Sequence, residues 1–186
     1  MSQQSISRAD ILEIGYEEIQ NKAEEIVRNK FFIFNRKKGK YNDVLSLSQI
    51  RKIHEMVIDL KSKVSELKLK LKIEEKRGDG LVKLLDEIEA LLAKLRYLMK
   101  YTWGRLRSEE SRRAFDEYSS RLENARHKIL DILKQLKDGL SKDKPLDELI
   151  EKLSTSVEKL HLFSEAVIGY YKYYSEYYKS SSEERG

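Results

Sequence analysis

Cysteine is absent from this chain of 186 residues, proline occurs once, at Pro145, and glycine eight times. Without cysteine there can be no disulfide framework, thiolate zinc site or cysteine nucleophile, and no mark of an oxidising compartment. So few helix breakers beside 37% charged and 40% hydrophobic residues argue against sandwiches and barrels and suit long helices with polar outer faces. Long apolar runs are missing too: none approaches the roughly 18 residues of a membrane span, and Met1 to Asp10 is polar. The chain therefore reads as cytoplasmic, with no membrane attachment. Its length suits one domain, expected over residues 1–179, with the polar Ser180 to Gly186 as a disordered tail.

What is present is helical periodicity. Ser7 and Asp10 form a capping start before Leu12, Tyr16, Ile19, Ala23 and Ile26. Phe31 to Phe34 is an apolar knot, expected to be buried under a loop over Arg36 to Asn42 that contains Gly39. The second helix carries a heptad seam, Ile50, Ile53, Val57, Leu60, Val64, Leu67 and Leu71, with a capping box at Ser46 and Gln49 and a turn at Gly78-Asp79-Gly80. The third shows Leu84, Ile88, Leu91, Leu95, Leu98 and Thr102 on one face and ends near Arg107. The fourth runs from about Ser108 through Phe115, Tyr118, Leu122, Ala125, Ile129, Ile132 and Leu136 to a stop at Gly139. The fifth follows Pro145 with Leu149, Leu153, Val157, Leu160, Val167, Tyr170, Tyr174 and Tyr177. Short connections favour antiparallel neighbours, so the expected fold is all-α, a bundle of about five long amphipathic helices. Such seams pair between chains as readily as within one, which leaves a helix-exchanged dimer open for the isolated protein.

Catalytic chemistry is hard to find. Glu158 and His161 match half of the Glu-x-x-His pattern of di-iron bundles, with Glu165 a turn further on, but His54 and His127 have no glutamate three residues before them. No phosphate-gripping loop follows the one glycine cluster, and no nucleophile elbow surrounds a serine. The reading is of a protein that is not an enzyme and needs no metal or cofactor.

The distribution of charge is more informative than the net +5. Arg28, Lys30, Arg36, Lys37, Lys38 and Lys40 cluster without an acid among them, and Lys94, Arg96, Lys100, Arg105, Arg107, Arg112 and Arg113 surround the third helix end. The second helix adds Arg51 and Lys52 among many lysines, whereas acids prevail from Asp143 to Glu184. A single charged run is usually a solvated helix face. Clustered cations mixed with Tyr101 and Trp103 instead suit a polyanion whose bases can stack. Gln49 is expected to be spent on capping, and Gly104 to permit close approach of backbone. The six tyrosines from Tyr170 to Tyr178 cannot all face one way, so one stripe, Tyr170, Tyr174 and Tyr177, is expected to pack and the others to suit a protein interface.

Three stretches together resemble a known family. Leu47 to Ile53 (LSQIRKI), Leu95 to Arg105 (LRYLMKYTWGR) and Phe163 to Lys172 (FSEAVIGYYK) are similar, in order, to the Ser-Gln-Ile-Arg helix start, the Tyr-x-x-Gly-Arg segment and the Glu-Ala-x-x-x-Tyr segment of the small subunit of type III-A CRISPR Csm effector complexes. The chain departs from typical members in its lengthened helices and in a glycine replacing the common alanine of the last segment. The resemblance implies a non-catalytic subunit that stacks in several copies with other Csm subunits and supports crRNA and target RNA without reading sequence, in antiviral defence. Arg51 and Arg105 match the motif arginines. With Lys52, Arg96, Lys100, Arg107, Lys37, Lys38 and Lys40 they are the expected RNA contacts. A small subunit of another type III complex would keep this mechanism; a helical dimerisation adaptor that binds no RNA would leave the cations solvated.

Overall fold

A computed structural model describes residues 10–35, 37, 40–73, 79–142 and 146–183. The fold is all-α: helices α1 (Tyr16–Ile26), α2 (Leu47–Ile73), α3 (Asp79–Arg105), α4 (Glu109–Ser141) and α5 (Asp147–Glu183). A π-helical turn, Val27–Phe31, and a small antiparallel hairpin, β1 (Phe32–Asn35) with β2 (Lys40–Asp43), join α1 to α2.

The seam on α2 forms as its spacing dictates, with Ile50, Ile53, Val57, Leu60, Val64 and Leu67 all buried. One flank of that seam meets α3, where Lys63 Nζ lies 2.8 Å from Glu87. The other meets α5, where Lys68 Nζ lies 2.7 Å from Glu151. Lys137 of α4 bridges to Asp86 of α3 at 2.8 Å, and α4 packs on α5. Helices α2 to α5 thus close an antiparallel ring in the order α2-α3-α4-α5. Helix α1 lies outside the ring along α5 and parallel to it: the Tyr16 hydroxyl donates to Glu158 at 3.4 Å near one end and the Tyr174 hydroxyl to Glu24 at 2.6 Å near the other. At one end of the bundle the hairpin, the starts of α2 and α4 and the ends of α3 and α5 converge, tied by Ser111 Oγ donating to the Val44 carbonyl at 2.7 Å and by the Tyr171 hydroxyl donating to Asp43 and the Leu45 carbonyl, each at 2.9 Å.

Several local expectations are corrected. Asp10 caps an isolated turn, its carboxylate accepting from the Leu12 N–H at 2.9 Å, and the first helix begins only at Tyr16. Its expected partner Ser7 lies outside the described residues. The stretch expected to be a loop contributes a strand, Lys40–Asp43, whose register runs from Phe32 opposite Asp43 to Asn35 opposite Lys40. Only half of the aromatic knot is covered: Phe31 and Phe32 are buried, while Ile33 points to the other face of the ribbon and Phe34, on the face of Phe32, lies against its cross-strand neighbour Tyr41 and stays exposed. Asp79 and Gly80 start α3 rather than forming a turn, and Gly78 is outside the described residues, as is Pro145. Helix α4 passes Gly139 to Ser141; a Cβ there would come within 2.6 Å of Leu146, so contact explains this glycine better than helix termination. Helix α5 continues past Ser180, where the tail was expected to start, to Glu183. Of the expected tyrosine stripe Tyr174 is buried and Tyr170 is partly buried against the core, but Tyr177 is exposed and Tyr171 is buried in its stead.

Candidate nucleic-acid interface

The expected RNA contacts do not form one groove. Adjacent residues on a helix diverge by about 100°, and on α2 this separates Arg51 from Lys52. Arg51 shares the flank of His54, whose Nδ1 lies 2.8 Å from Ser164 of α5; Lys52 shares the flank of Lys63, which faces α3. Lys52 therefore stands on the α3 side of α2, facing the flank of α3 that carries Glu87 and, about five turns on, Arg105. Arg96, 3.5 Å from Glu123, and Lys100 take the other flank, toward α4, so the α3 corner divides between two faces. Arg51 stands on the side of α5 and of the hairpin, which carries Lys37 and Lys40, both exposed. Lys38 lies outside the described residues.

The α3 corner holds the richer chemistry. Arg105 Nη1 donates to the Tyr101 hydroxyl at 3.0 Å, and its guanidinium carbon lies 5.5 Å from the Tyr101 ring centroid. Tyr97 and Tyr101, one turn apart, stack with centroids 6.2 Å apart, and both are exposed. Arg112, at the start of α4, covers a face of Trp103 at 4.9 Å and is fixed by donating through Nε to the Leu106 carbonyl at 3.1 Å. Ser108 caps α4, accepting from the Ser111 N–H at 3.0 Å, which sets the bend that carries Arg112 back onto α3. Arg113 is paired with Glu109.

Several lysines elsewhere are neutralised, Lys63 by Glu66 and Glu87, Lys68 by Glu151, Lys128 by Asp10 and Glu13, Lys137 by Asp86 and Glu89, while others, Lys72, Lys94, Lys152 and Lys172 among them, are exposed and form no ion pair among the described residues. Among the described residues Arg51, Lys52, Lys100 and Arg107 form no ion pair, and all four are exposed. Arg96 is partly compensated, 3.5 Å from Glu123, which Arg126 also holds at 2.7 Å. Burial raises the Glu123 pKa, but the Arg126 hydrogen bond and the surrounding positive charges outweigh it and keep the carboxylate ionised.

No family model, curated protein or solved structure matches the chain.

Between α3 and α4, beside these cations, lies an open groove of about 690 Å³. Met99 and Phe115 form its floor, Arg96, Lys100 and Trp103 one wall, and Asp116, Ser119, Ser120 and Glu123 the other. The sequence singles out Arg96 and Lys100 as clustered cations and Trp103 as an aromatic among them, but not the α4 wall, whose polar residues look like any solvated face. Gly104 lies against nothing: an added Cβ would meet no atom within 4 Å, so within the chain it serves no close approach. Gln49 is used as expected, its Oε1 accepting from the Ser46 N–H at 3.2 Å. The half motif at Glu158 and His161 goes elsewhere, Glu158 accepting from Tyr16 and His161 Nδ1 lying 3.5 Å from Lys61 Nζ. Among the described residues no three His, Asp or Glu side chains gather as a metal site would need. Among the described residues no helix is long and apolar enough to cross a membrane.

Proposed function

We propose that the chain is a non-catalytic RNA-binding subunit, the small subunit of a type III-A (Csm) CRISPR RNA-guided effector, working in several copies beside other subunits. One observation carries the reading. The three segments that carry the resemblance are far apart in sequence and meet at one end of the bundle, as the Tyr171 bond to Leu45 and the paired flanks of α2 and α3 require. That end also exposes the unpaired cations Lys52, Lys100 and Arg107 and the arginine-aromatic pairs of α3. Cations that are already neutralised gain little from phosphates, whereas unpaired ones gain affinity by releasing the counterions of a polyanion. Support of a guide-target strand by this surface draws on phosphates, so binding is blind to sequence.

The test is a salt series. Arg105→Ala and Lys100→Ala should each reduce the slope of log affinity against log salt by about 0.7 to 0.9 on two unrelated RNA sequences, the increment expected for one lost phosphate contact. Both residues are exposed, so melting should change by less than ~0.5 kcal/mol. Arg51→Ala, on the other side of α2, measures whether the hairpin side belongs to the same surface. RNA affinity and slope unchanged in a folded Arg105→Ala/Lys100→Ala double variant would exclude the α3 corner; a strong preference for one sequence would exclude backbone support.

A further inference from the structure

The groove between α3 and α4 is polar in a way that a phosphate track is not. Asp116 and Glu123 line the wall facing Arg96 and Lys100, and Asp116 has no hydrogen bond or ion pair among the described residues. A phosphodiester lying in the groove would meet those carboxylates; on the α3 rim it meets Lys100, with Arg107 beyond. The part of a nucleotide that the interior tolerates is its uncharged part. Met99 and Phe115, almost fully buried, give an apolar floor, and Ser119 and Asp116 supply a hydroxyl and an acceptor at the edge where base N–H groups would lie.

Trp103 settles the orientation. Arg112 covers one face of its ring, yet the residue is 40% exposed and lines the groove, so part of the indole borders the cavity and is open to a ligand there. An indole backed by a guanidinium and open to a groove is a stacking platform, and every base has a face to place on it. We infer that the α3–α4 groove is a nucleobase subsite: it takes one unpaired base of a single-stranded RNA between Trp103 and the α4 wall while the flanking phosphates stay on the Lys100 rim. The subsite rests on the RNA-binding reading above and narrows its ligand to single strands, since a base inside a duplex has no free face to offer.

Trp103 is the only tryptophan of the chain, so its emission reports on the site directly. The full chain is titrated with three oligomers of one length: a single-stranded RNA, the same strand in a duplex, and an abasic oligomer of equal charge. The single strand should quench Trp103 and bind best, and the abasic oligomer should bind at least tenfold more weakly without quenching. The duplex should bind through the cations and leave the emission unchanged. Trp103→Ala should weaken single-strand binding roughly five- to a hundredfold, the range for one lost stack, with the salt slope unaltered because no phosphate contact is removed. Trp103→Phe keeps an aromatic face and should restore most of the affinity, which separates stacking from a folding defect. Equal affinity for the abasic oligomer, or equal quenching by the duplex, overturns the base subsite and leaves the RNA-binding surface standing. Failure of all three oligomers to bind overturns both, and assigns the groove to something other than nucleic acid.

Discussion

Tyr118 of α4 sits where the π-helical turn meets the ring, its aromatic ring edge-on to Phe31 and Phe115 and stacked 5.9 Å from Phe163. Its hydroxyl is buried and, among the described residues, has no hydrogen-bond partner, and burial pushes its pKa far up. A buried hydroxyl without a partner costs about 1 to 3 kcal/mol, so Tyr118→Phe should raise stability by about 1 kcal/mol, read as a higher Tm with circular dichroism unchanged. The opposite sign would mean that the hydroxyl is satisfied in solution. The histidine pair between α2 and α5 behaves differently. Ser164 Oγ donates to the His161 carbonyl at 3.0 Å and therefore accepts from His54 Nδ1, which places the proton of the neutral imidazole on Nδ1; the two histidine rings lie with centroids 5.4 Å apart. Burial first, then the other histidine, lowers the His54 pKa below 6.5; burial first, then Lys61, lowers that of His161; Glu165, Glu55 and Glu158 offset this only in part. With both values depressed in the folded chain, the unfolded chain binds more protons as pH falls below about 6.5, and stability is lost from there downward. Tm should therefore drop between pH 7.5 and pH 5, and a His54→Gln/His161→Gln variant should show a smaller drop. An equal drop in both proteins would place the acid sensitivity elsewhere.

At the scale of elements, the C-terminal turn of α3 offers a clean test because Gly104 is exposed and its missing side chain touches nothing. Gly104→Ala should stabilise the helix by about 0.5 to 1 kcal/mol, from helix propensity alone. Loss of RNA affinity in that stabilised variant would show that the glycine serves the partner's approach rather than the fold. The same helix marks how much of the fold the sequence discloses. The seams of α2 and α4 are legible because each buried position repeats at three and four residues and nothing competes for the phase. The hairpin is not legible: its strands are four residues each, and Phe32 is buried only because Tyr171 and Tyr178 lie 5.3 Å away, on a helix more than a hundred residues later. The tyrosine stripe is legible only in part for a related reason: Tyr170 and Tyr174 pack and Tyr177 does not. Six tyrosines within nine residues give no single phase, and what selects Tyr171 is a tertiary bond to Asp43 and Leu45, which also raises its pKa after burial itself. Tyr174 follows a turn later, its pKa pushed up to about 12 by desolvation and by Glu24.

For the whole molecule, the charge map was half readable. Counting lysines along α2 overstated its basic face, since Lys63 and Lys68 are spent on acids of α3 and α5, partners that a linear count cannot see. The arginine-aromatic cluster at the end of α3 was readable, because those groups are one helical turn apart on a single element. Its division from Arg51 and the hairpin lysines was not, being a matter of which helices flank α2. The docking of α1 and the hairpin along α5 has a further consequence, for the order of assembly. Helices α2, α3 and α4 find one another through neighbours close in sequence, but Glu24 must wait for Tyr174 and Asp43 for Tyr171. Closing loops of that span slows folding, so the N-terminal segments should be the last to dock and the first to let go. Amide exchange should accordingly be fastest in the hairpin and α1 and slowest along the α2 seam, which would make the hairpin corner the part of this protein that a partner could displace without opening its core.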